Sequence, residues 1–379
     1  MSLLHPFRER PDGRKVRYAV VGAGWIAQED FLPGVAHTGN SEVTALVTGD
    51  PVKAEKLAKK YDIEHATDYT GYDALLKSGL IDAIYLSLPN SMHRDYAVRA
   101  LEAGIHVLCE KPMAPTEEDC RAMIDACEKT GAKLMIAYRL HFEAGTVAVI
   151  EKIKDGAIGE PRFFSSTFAQ QVAEQNSRTE GKLWAGPLPD MGPYPINAVR
   201  QLFRAEPTEA FAFAAAKKGE PRFTEVEEML SVLLRFPEER LAQFTVSYGA
   251  NPVSEYRICG TKGDLEVTTG YTFQTGLRYR MTVGEKTTEE SFPHTDQFGG
   301  ETRYFSNCVL DNQQPEPDGW EGLADVRVIK AIEESARTGQ PVKIEPLPAR
   351  PHRPTSEQVE KLDAVKRGEM VHAAPPEEG

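Results

Sequence analysis

VRYAVVGAGWIA, residues 16–27, joins a short apolar run to two glycines and the beginning of a helical pattern. A GxGxxA spacing is unspecific by itself, but between a strand and a helix it is typical of a dinucleotide-binding turn. Gly22 permits the tight turn, Gly24 leaves room for a pyrophosphate at the helix N-terminus, and Ala27 lets the helix pack close to the sheet. The alternative is a tight turn that binds nothing. We also expect dinucleotide contacts from the two residues that complete the turn, Trp25 and Ile26.

The residues after this turn alternate apolar runs with helical patterns up to about residue 138. The apolar runs predict five strands, at 16–21, 43–47, 81–88, 105–109 and 133–138. Between them, segments such as 50–61 and 116–130 have helical spacing, and the second is bounded by Thr116 as N-cap and by Gly131. This βαβ order predicts a parallel sheet covered by helices, a Rossmann domain over residues 1–138.

The pattern changes beyond residue 140. One helix near 144–155 is followed by closely spaced runs rich in β-branched and aromatic residues, then by a late helix near 323–337. Such runs predict a mostly antiparallel sheet. The predicted fold class is therefore α/β, with a second α/β domain over residues 139–345. The Pro- and charge-rich tail, 346–379, is expected to lie on the surface or on a partner subunit.

Composition excludes several classes of protein. Lys and Arg total 44 against 57 Asp and Glu, and the net charge of −13 opposes non-specific binding to nucleic acid or anionic lipid. No apolar stretch is long enough to span a membrane, and the N-terminus lacks a signal-peptide pattern, so we expect a cytoplasmic protein. The five cysteines form no CxxC pair. His141, His294 and His352 lack the spacing of metal ligands, so we expect no metal.

The end of the second predicted strand bears on which dinucleotide binds. NAD sites commonly hold an acidic residue there for the ribose 2′-hydroxyl, but this strand runs into the neutral Thr48. Lys53 follows in the first turn of the next helix. A hydroxyl, main-chain N–H groups and a lysine suit a 2′-phosphate, so NADP is predicted over NAD. In the alternative, Asp50 supplies the carboxylate and Lys53 is a solvated surface lysine.

Two further strands end in polar residues at the same edge of the predicted sheet. The third leads into Leu88-Pro89-Asn90-Ser91-Met92-His93, and the fourth leads into Glu110-Lys111-Pro112. Ligands of open parallel sheets bind beyond the carboxyl ends of the strands, so both segments are expected to face the ligand crevice. Taken alone, the second segment also fits a strand that ends in surface residues, because Pro ends strands well.

Five short motifs, in order over almost the whole chain, resemble those of one enzyme family. They are GAGWIA at 22–27, PNSMH at 89–93, EKP at 110–112, AYR at 137–139 and DMGPYPIN at 190–197. In this combination the chain resembles the Gfo/Idh/MocA oxidoreductases, the family of glucose-fructose oxidoreductase and inositol dehydrogenase. The resemblance implies a Rossmann domain followed by an α/β domain with a large open sheet for substrate and oligomer contacts, in a homodimer or homotetramer.

The resemblance also implies roles for single residues. The catalytic lysine of the family falls on Lys111. The family's DxGxH motif begins at Asp190 here and has Tyr194 in place of histidine. This departure is similar to the branch of glucose-fructose oxidoreductase and dimeric dihydrodiol dehydrogenase, in which a tyrosine is the acid/base. That branch holds the 2′-phosphate of NADP where Thr48 and Lys53 fall.

The chemistry expected from these residues is hydride transfer. Hydride exchange between a nicotinamide and a carbinol carbon needs proton transfer at the oxygen, which we assign to Tyr194. The Lys111 ammonium would favour the ionised tyrosine and polarise the substrate oxygen, while Asp190 would orient one of them or bind substrate hydroxyls. The expected activity is that of an NADP-dependent oxidoreductase acting on a sugar or polyol, like glucose-fructose oxidoreductase. The alternatives are a dihydrodiol or xylose dehydrogenase-like enzyme and a non-catalytic NADP-sensing regulator.

Further cofactor contacts are expected from the strand ends and from the segment before the Asp190 motif. For His93, packing or helix capping is as well supported as a ligand contact. For Arg139 and Arg178, a surface salt bridge is an equal alternative to a ligand contact. Glu110 would contact the cofactor ribose or serve a structural role. The full set is Leu88, Pro89, Asn90, His93, Glu110, Lys111, Arg139 and Arg178.

Overall fold

The computed structural model describes residues 13–174, 176–348, 353–366, 368–373 and 375. Its strands form two sheets. The strands are β1 (Val16–Val21), β2 (Ser41–Val47), β3 (His65–Thr67), β4 (Ala83–Leu86), β5 (His106–Glu110), β6 (Leu134–Ala137), β7 (Pro161–Ala169), β8 (Glu209–Ala215), β9 (Met229–Phe236), β10 (Arg240–Ser247), β11 (Val253–Gly260), β12 (Gly263–Val267), β13 (Arg278–Val283), β14 (Lys286–Ser291) and β15 (Val342–Lys343).

The helices alternate with the strands of the first sheet and become sparser in the second half of the chain. They are α1 (Leu32–Val35), α2 (Pro51–Tyr61), α3 (Tyr72–Leu76), α4 (His93–Glu102), α5 (Glu117–Thr130), α6 (Ala144–Lys154), α7 (Pro187–Met191), α8 (Pro193–Phe203), α9 (Gln297–Leu310) and α10 (Gly319–Thr338). A π-helical segment, Ala27–Phe31, precedes α1.

The first sheet is parallel throughout, in the order β3-β2-β1-β4-β5-β6. Strands β1, β4 and β6 are short apolar runs that are almost wholly buried, as is usual for strands covered on both faces. The chain reverses its direction of travel across the sheet between β1 and β4, which makes a topological switch point there. The predicted Rossmann sheet is confirmed, with β3 as an additional strand too short to show a period.

The first compact unit is not one continuous stretch of chain. Besides the described residues up to Glu143, it takes in Thr295–Leu323 and Ser356–Pro375. Helix α9 packs on β1, where the hydroxyl groups of Tyr18 and Ser306 meet at 2.8 Å. The expected boundaries at residues 138 and 345 place α9 in the second domain, and nothing in its local sequence signals this return.

The second compact unit is built from Ala144–His294 and Ala324–Thr355. Its sheet has the order β14-β13-β12-β11-β7-β10-β9-β8-β15, and only the neighbours β7 and β10 run parallel among the described strands. The predicted mostly antiparallel sheet is therefore confirmed. Strand β9 alternates buried and exposed residues along its length, so one face of the sheet is covered and the other is open.

From Ser356 onward, the described part of the tail belongs to the first unit. The main-chain N–H of Asp296 donates to the carbonyl of Leu362 at 3.0 Å, and the Gln358 amide donates to the carbonyl of His141 at 3.2 Å. Val359 and Leu362 are buried.

Candidate functional site

The turn after β1 is crowded at Gly22. The residue has φ +91°, and a Cβ there would lie 2.8 Å from the carbonyl oxygen of Ser87. The Ser87 hydroxyl donates to the Gly22 carbonyl at 2.6 Å. Both the left-handed backbone and the close approach of the segment after β4 therefore require glycine at this position.

The same turn is open at Gly24. A Cβ built there meets no atom within 4 Å. The chain then enters a helix, and Ala27 is fully buried in the core of the unit while Trp25 and Ile26 are half-buried at the turn. Unfilled space beside main-chain N–H groups at a helix start fits a pyrophosphate, so the residues present suit a bound dinucleotide.

The end of β2 presents a hydroxyl and a carboxylate. Thr48 is 5% exposed, and its Oγ1 accepts from the Asp50 N–H at 3.4 Å. Asp50 is the N-cap of α2, since its Oδ1 accepts from the Lys53 N–H at 3.0 Å. This carboxylate therefore serves the helix first, which is the role that Asp prefers before a helix.

His93 joins the segments that follow β4 and β5. The imidazole is fully buried, with Nε2 at 2.9 Å from the Leu88 carbonyl and Nδ1 at 3.1 Å from the Pro112 carbonyl. Desolvation lowers the pKa of His93. Because both ring nitrogens face main-chain carbonyls, the geometry favours the packing alternative over a direct ligand contact for this residue. Leu88, Pro89 and Asn90 lead into it through a short 3₁₀ turn.

Glu110, at the end of β5, is bonded by a side chain of the neighbouring strand β4. The Tyr85 hydroxyl of β4 donates to Glu110 Oε1 at 2.6 Å. Desolvation raises the pKa of Glu110, and the neighbouring Lys111 ammonium opposes that rise. The contact with Tyr85 favours the structural alternative for Glu110. Lys111 is half-buried, and the Lys111–Pro112 peptide bond is cis.

Arg139 is not a surface residue. It is 4% exposed, and its Nη1 donates to the Gln297 side-chain oxygen at 2.6 Å, so the alternative of a surface salt bridge does not hold for it. Glu301, one turn further along α9, is completely buried. Desolvation raises the pKa of Glu301 well above its ordinary value, with Glu110 adding to the rise and Arg139 opposing it. Within the described residues, neither Glu301 carboxylate oxygen has a hydrogen-bond partner.

Asp190 in the second unit is held by two side chains. Its Oδ2 accepts from Arg178 Nε at 3.1 Å and from the Tyr248 hydroxyl at 2.7 Å. Desolvation opposes the charge of Arg178, yet Asp190 beside it raises the pKa of the guanidinium, so Arg178 stays charged. Desolvation, with Asp190 adding to it, raises the pKa of Tyr248 well above its usual value, so Tyr248 remains a donor.

Tyr194 lies in the first turn of α8. Its ring packs edge-on against Phe168, with centroids 5.3 Å apart, and against Tyr271 at 5.9 Å. Further along α8, Arg200 is fully buried and pairs with Asp325 at 2.6 Å, which anchors the helix. A half-buried phenol on an anchored helix has a defined direction and keeps access to a ligand.

The expected site residues therefore form one set in each unit. The first unit gathers the glycine turn, Thr48, Lys111 and Arg139 at the carboxyl edge of its parallel sheet. The second unit gathers Asp190, Arg178 and Tyr194. Sequence reasoning missed four contributors: Gln28, Gln297, Glu301 and Tyr248. Only Tyr248, which directly follows a strand, had a signal in the sequence.

No group of three or more His, Cys, Asp or Glu side chains able to hold a metal ion occurs in the described ranges. Within those same ranges, no helix combines the length and the apolar character that crossing a membrane requires.

Comparison with protein families matches residues 16–138 to the oxidoreductase family with an NAD-binding Rossmann fold, and residues 135–266 to the GFO/IDH/MocA C-terminal domain. The chain is 32% identical to D-xylose 1-dehydrogenase (NADP+) of Haloarcula marismortui, over 87% of this chain and 93% of that protein. It is 26% identical to trans-1,2-dihydrobenzene-1,2-diol dehydrogenase of Xenopus tropicalis, over 84% of this chain and 96% of that protein.

Among solved structures, the chain is similar to the aldose-aldose oxidoreductase of Caulobacter crescentus, crystallised with glycerol. The TM-score is 0.83 at 36% identity, and the match covers 87% of this chain and 100% of that one. The resemblance inferred from five short motifs is confirmed by these matches.

The buried carboxyl of Glu301 predicts a pH-dependent penalty to folding. The pKa of Glu301 in the folded state lies above its unfolded value. The contribution of this carboxyl to the free energy of unfolding is therefore most favourable below about pH 4.5, and it is lost as the pH rises through the folded-state pKa. Relative to wild type, Glu301→Gln should gain up to about 1.4 kcal/mol of unfolding free energy per pH unit in that window. Denaturant unfolding at a series of pH values measures this.

Glu102→Gln, which removes an exposed carboxyl on α4, is the control for the loss of one charge. A stability difference between Glu301→Gln and wild type that stays constant from acid to mildly alkaline pH would contradict the assignment.

Proposed function

This chain belongs to the Gfo/Idh/MocA oxidoreductase family, and we propose that it transfers a hydride between NADP and a hydroxyl-bearing carbon of a sugar or polyol. One observation carries the proposal: the open glycine turn follows β1, and the neighbouring strand β2 leads to Asp50, whose carboxylate caps α2. Two relatives bear the names of sugar-acting enzymes, a D-xylose 1-dehydrogenase (NADP+) and an aldose-aldose oxidoreductase.

The dinucleotide would be held by the main chain of the turn from Gly22 to Ala27. Thr48 and Lys53 would take the 2′-phosphate, one through its hydroxyl and the other through its ammonium. Arg139 lies near Glu110 and Glu301, and its positive charge opposes the rise in pKa that desolvation causes at both carboxyls. When bound, the cofactor supplies a carbon that gives or accepts a hydride.

The proton that accompanies the hydride would pass through the Tyr194 hydroxyl. Lys111 would polarise the substrate oxygen, because a positive charge stabilises the negative charge that develops there. Asp190 is fixed by Arg178 and Tyr248, so it is suited to orient a substrate hydroxyl or the catalytic phenol. His93 would act indirectly, since it lies between the Leu88 carbonyl of the segment after β4 and the carbonyl of Pro112, the residue after the lysine. With its pKa lowered, the imidazole is neutral and donates to one of these two carbonyls.

Removing the Tyr194 hydroxyl should abolish most turnover and leave cofactor binding intact. Tyr194→Phe keeps the ring that packs on Phe168 and Tyr271, so we expect turnover to fall about 10²–10⁴-fold with an unchanged dissociation constant for NADPH. NADPH formation with a panel of aldoses, polyols and trans-dihydrodiols, together with fluorescence titration, measures both quantities.

Tyr271→Phe is the matched control, since it removes a neighbouring hydroxyl that bonds Ser166 at 2.7 Å and keeps the ring. Near-normal turnover of Tyr194→Phe would refute the role of the phenol. A wild-type protein that binds NADPH tightly but turns over no member of the panel would instead favour the NADP-sensing regulator. Activity confined to D-xylose or to a dihydrodiol would favour the dehydrogenase-like alternatives.

Cofactor preference tests the assignment of the strand end. We expect a lower dissociation constant for NADPH than for NADH. Gly24→Ala should leave thermal stability unchanged, because its Cβ meets no atom within 4 Å, and should weaken both cofactors at least about tenfold by filling the pyrophosphate space. Tighter binding of NADH would overturn the NADP assignment, and unchanged binding by Gly24→Ala would overturn the site.

The open face of the nine-stranded sheet would bind a second copy of the chain. Four large apolar side chains are exposed on one face of adjacent strands: Phe163 (48%), Phe213 (66%), Leu233 (52%) and Leu241 (50%). Two of them, Phe213 and Leu233, line a shallow cavity of about 540 Å³ on that face. Exposed apolar patches of this kind mark association surfaces, which supports the expected homodimer or homotetramer.

Charged substitutions on this face should dissociate the oligomer. Leu233→Asp combined with Phe213→Asp is expected to give a monomer by sedimentation velocity. Val52→Asp, at another exposed apolar side chain (41%) on α2, serves as the control. A wild-type monomer, or a double variant of unchanged mass, would reject the sheet as the interface.

A further inference from the structure

The last described residues of the chain lie against the dinucleotide turn. Residues 368–373, which we call the C-terminal strap, are fastened to the first unit at three points. Lys60 Nζ donates to the Glu369 carbonyl at 3.0 Å, Gln28 bonds Val371, and the His372 ring meets Asp50. The Val371 side chain also packs against the core of the unit. The strap is therefore an integral part of this unit.

Gln28 connects the strap to the glycine turn. Its side chain is 1% exposed, and its Nε2 donates both to the Ala23 carbonyl at 2.9 Å and to the Val371 carbonyl at 3.0 Å. The Val371 N–H donates back to Gln28 Oε1 at 2.8 Å. One buried amide thus satisfies both main-chain groups of Val371 while it holds the turn, so the strap and the turn have fixed positions relative to each other.

His372 meets the carboxylate at the end of β2. Its Nδ1 lies 2.7 Å from Asp50 Oδ2, whereas Asp50 Oδ1 accepts from the Lys53 N–H at 3.0 Å. The Lys53 N–H and then His372 lower the pKa of Asp50, which keeps it ionised. Both oxygens of this carboxylate are therefore used within the protein.

This arrangement bears on which ribose the site accepts. A free carboxylate at the end of the second strand accepts a bond from the 2′-hydroxyl of NAD and repels the 2′-phosphate of NADP. An imidazole that pairs with the carboxylate removes both effects and can itself carry a positive charge toward an anion. The strap places the His372 imidazole beside the segment that holds Thr48 and Lys53, although His372 lies 322 residues after Asp50 in the chain.

We propose that the C-terminal strap completes the adenosine-ribose end of the dinucleotide site, and that His372 is a specificity-determining residue that favours a 2′-phosphate. This rests on the proposed NADP site. In it, Gln28 is a positioning residue that acts through Val371, and Asp50 is held by His372 in its capping role and away from the ribose.

The test compares dissociation constants for NADPH and NADH in the full-length protein. His372→Ala should weaken NADPH binding about tenfold or more, and it should leave NADH binding unchanged or tighten it, because it frees Asp50 Oδ2 for the ribose 2′-hydroxyl. His372→Arg should retain the NADPH preference, because its guanidinium places a positive charge on the strap beside the 2′-phosphate. Gln28→Ala should reduce the NADPH to NADH preference in the same direction as His372→Ala, because it releases Val371. Adenosine 2′,5′-bisphosphate and AMP, which differ by the 2′-phosphate alone, should show the same contrast.

His65→Ala is the matched control, since His65 is a partly exposed histidine of the same unit at the amino end of β3. If wild type prefers NADPH and His372→Ala keeps that preference, the role of the strap is overturned while the NADP assignment stands. An equal loss of both cofactors would also overturn the specificity role. If wild type binds NADH more tightly, the NADP assignment itself fails, and the inference fails with it.

Discussion

The close approach of Ser87 to Gly22 sets the geometry on which the first unit depends. Because Gly22 has no side chain, the Ser87 carbonyl oxygen can lie only 2.8 Å from the position that a Cβ would occupy. The segment after β4 is thereby pressed against the glycine turn at the switch point of the sheet. His93 then links this segment to Pro112 through two carbonyls. The position of the lysine beside Pro112 thus follows, through a short series of contacts, from one missing side chain.

The second unit uses a different device, a buried ionic one. Asp190 is bonded by a guanidinium and a phenol, and α8 is anchored by Arg200, which pairs with both Asp325 and Glu206. Ion pairs withdrawn from water contribute little net stability, but each fixes a direction that an apolar contact leaves free. Both units therefore hold their candidate catalytic side chains through neighbours that are themselves constrained.

Local sequence patterns were sufficient for most of the fold. Strand β1 matches its expected bounds, and the helix expected at 116–130 is observed at Glu117–Thr130, because apolar periodicity and capping residues are encoded within a few positions. The glycine turn and the polar strand ends were recognisable for the same reason. The contacts from α9, the Tyr248 bond to Asp190 and the strap were not, since each joins segments whose separation along the chain carries no local signal. Family motifs named the candidate site residues, whereas only coordinates revealed what holds them.

The discontinuity of the first unit has a consequence for how the protein is made. Its parallel sheet is translated before α9, and the hydroxyl that pairs with Tyr18 belongs to Ser306, 288 residues later. Until α9 has been synthesised, the polar groups and apolar surface that it covers on β1 and β2 have no native partner. The nascent sheet therefore stays exposed while Ala144–His294, the larger part of the second unit, is translated, and this interval is the stage at which a chaperone would be most needed.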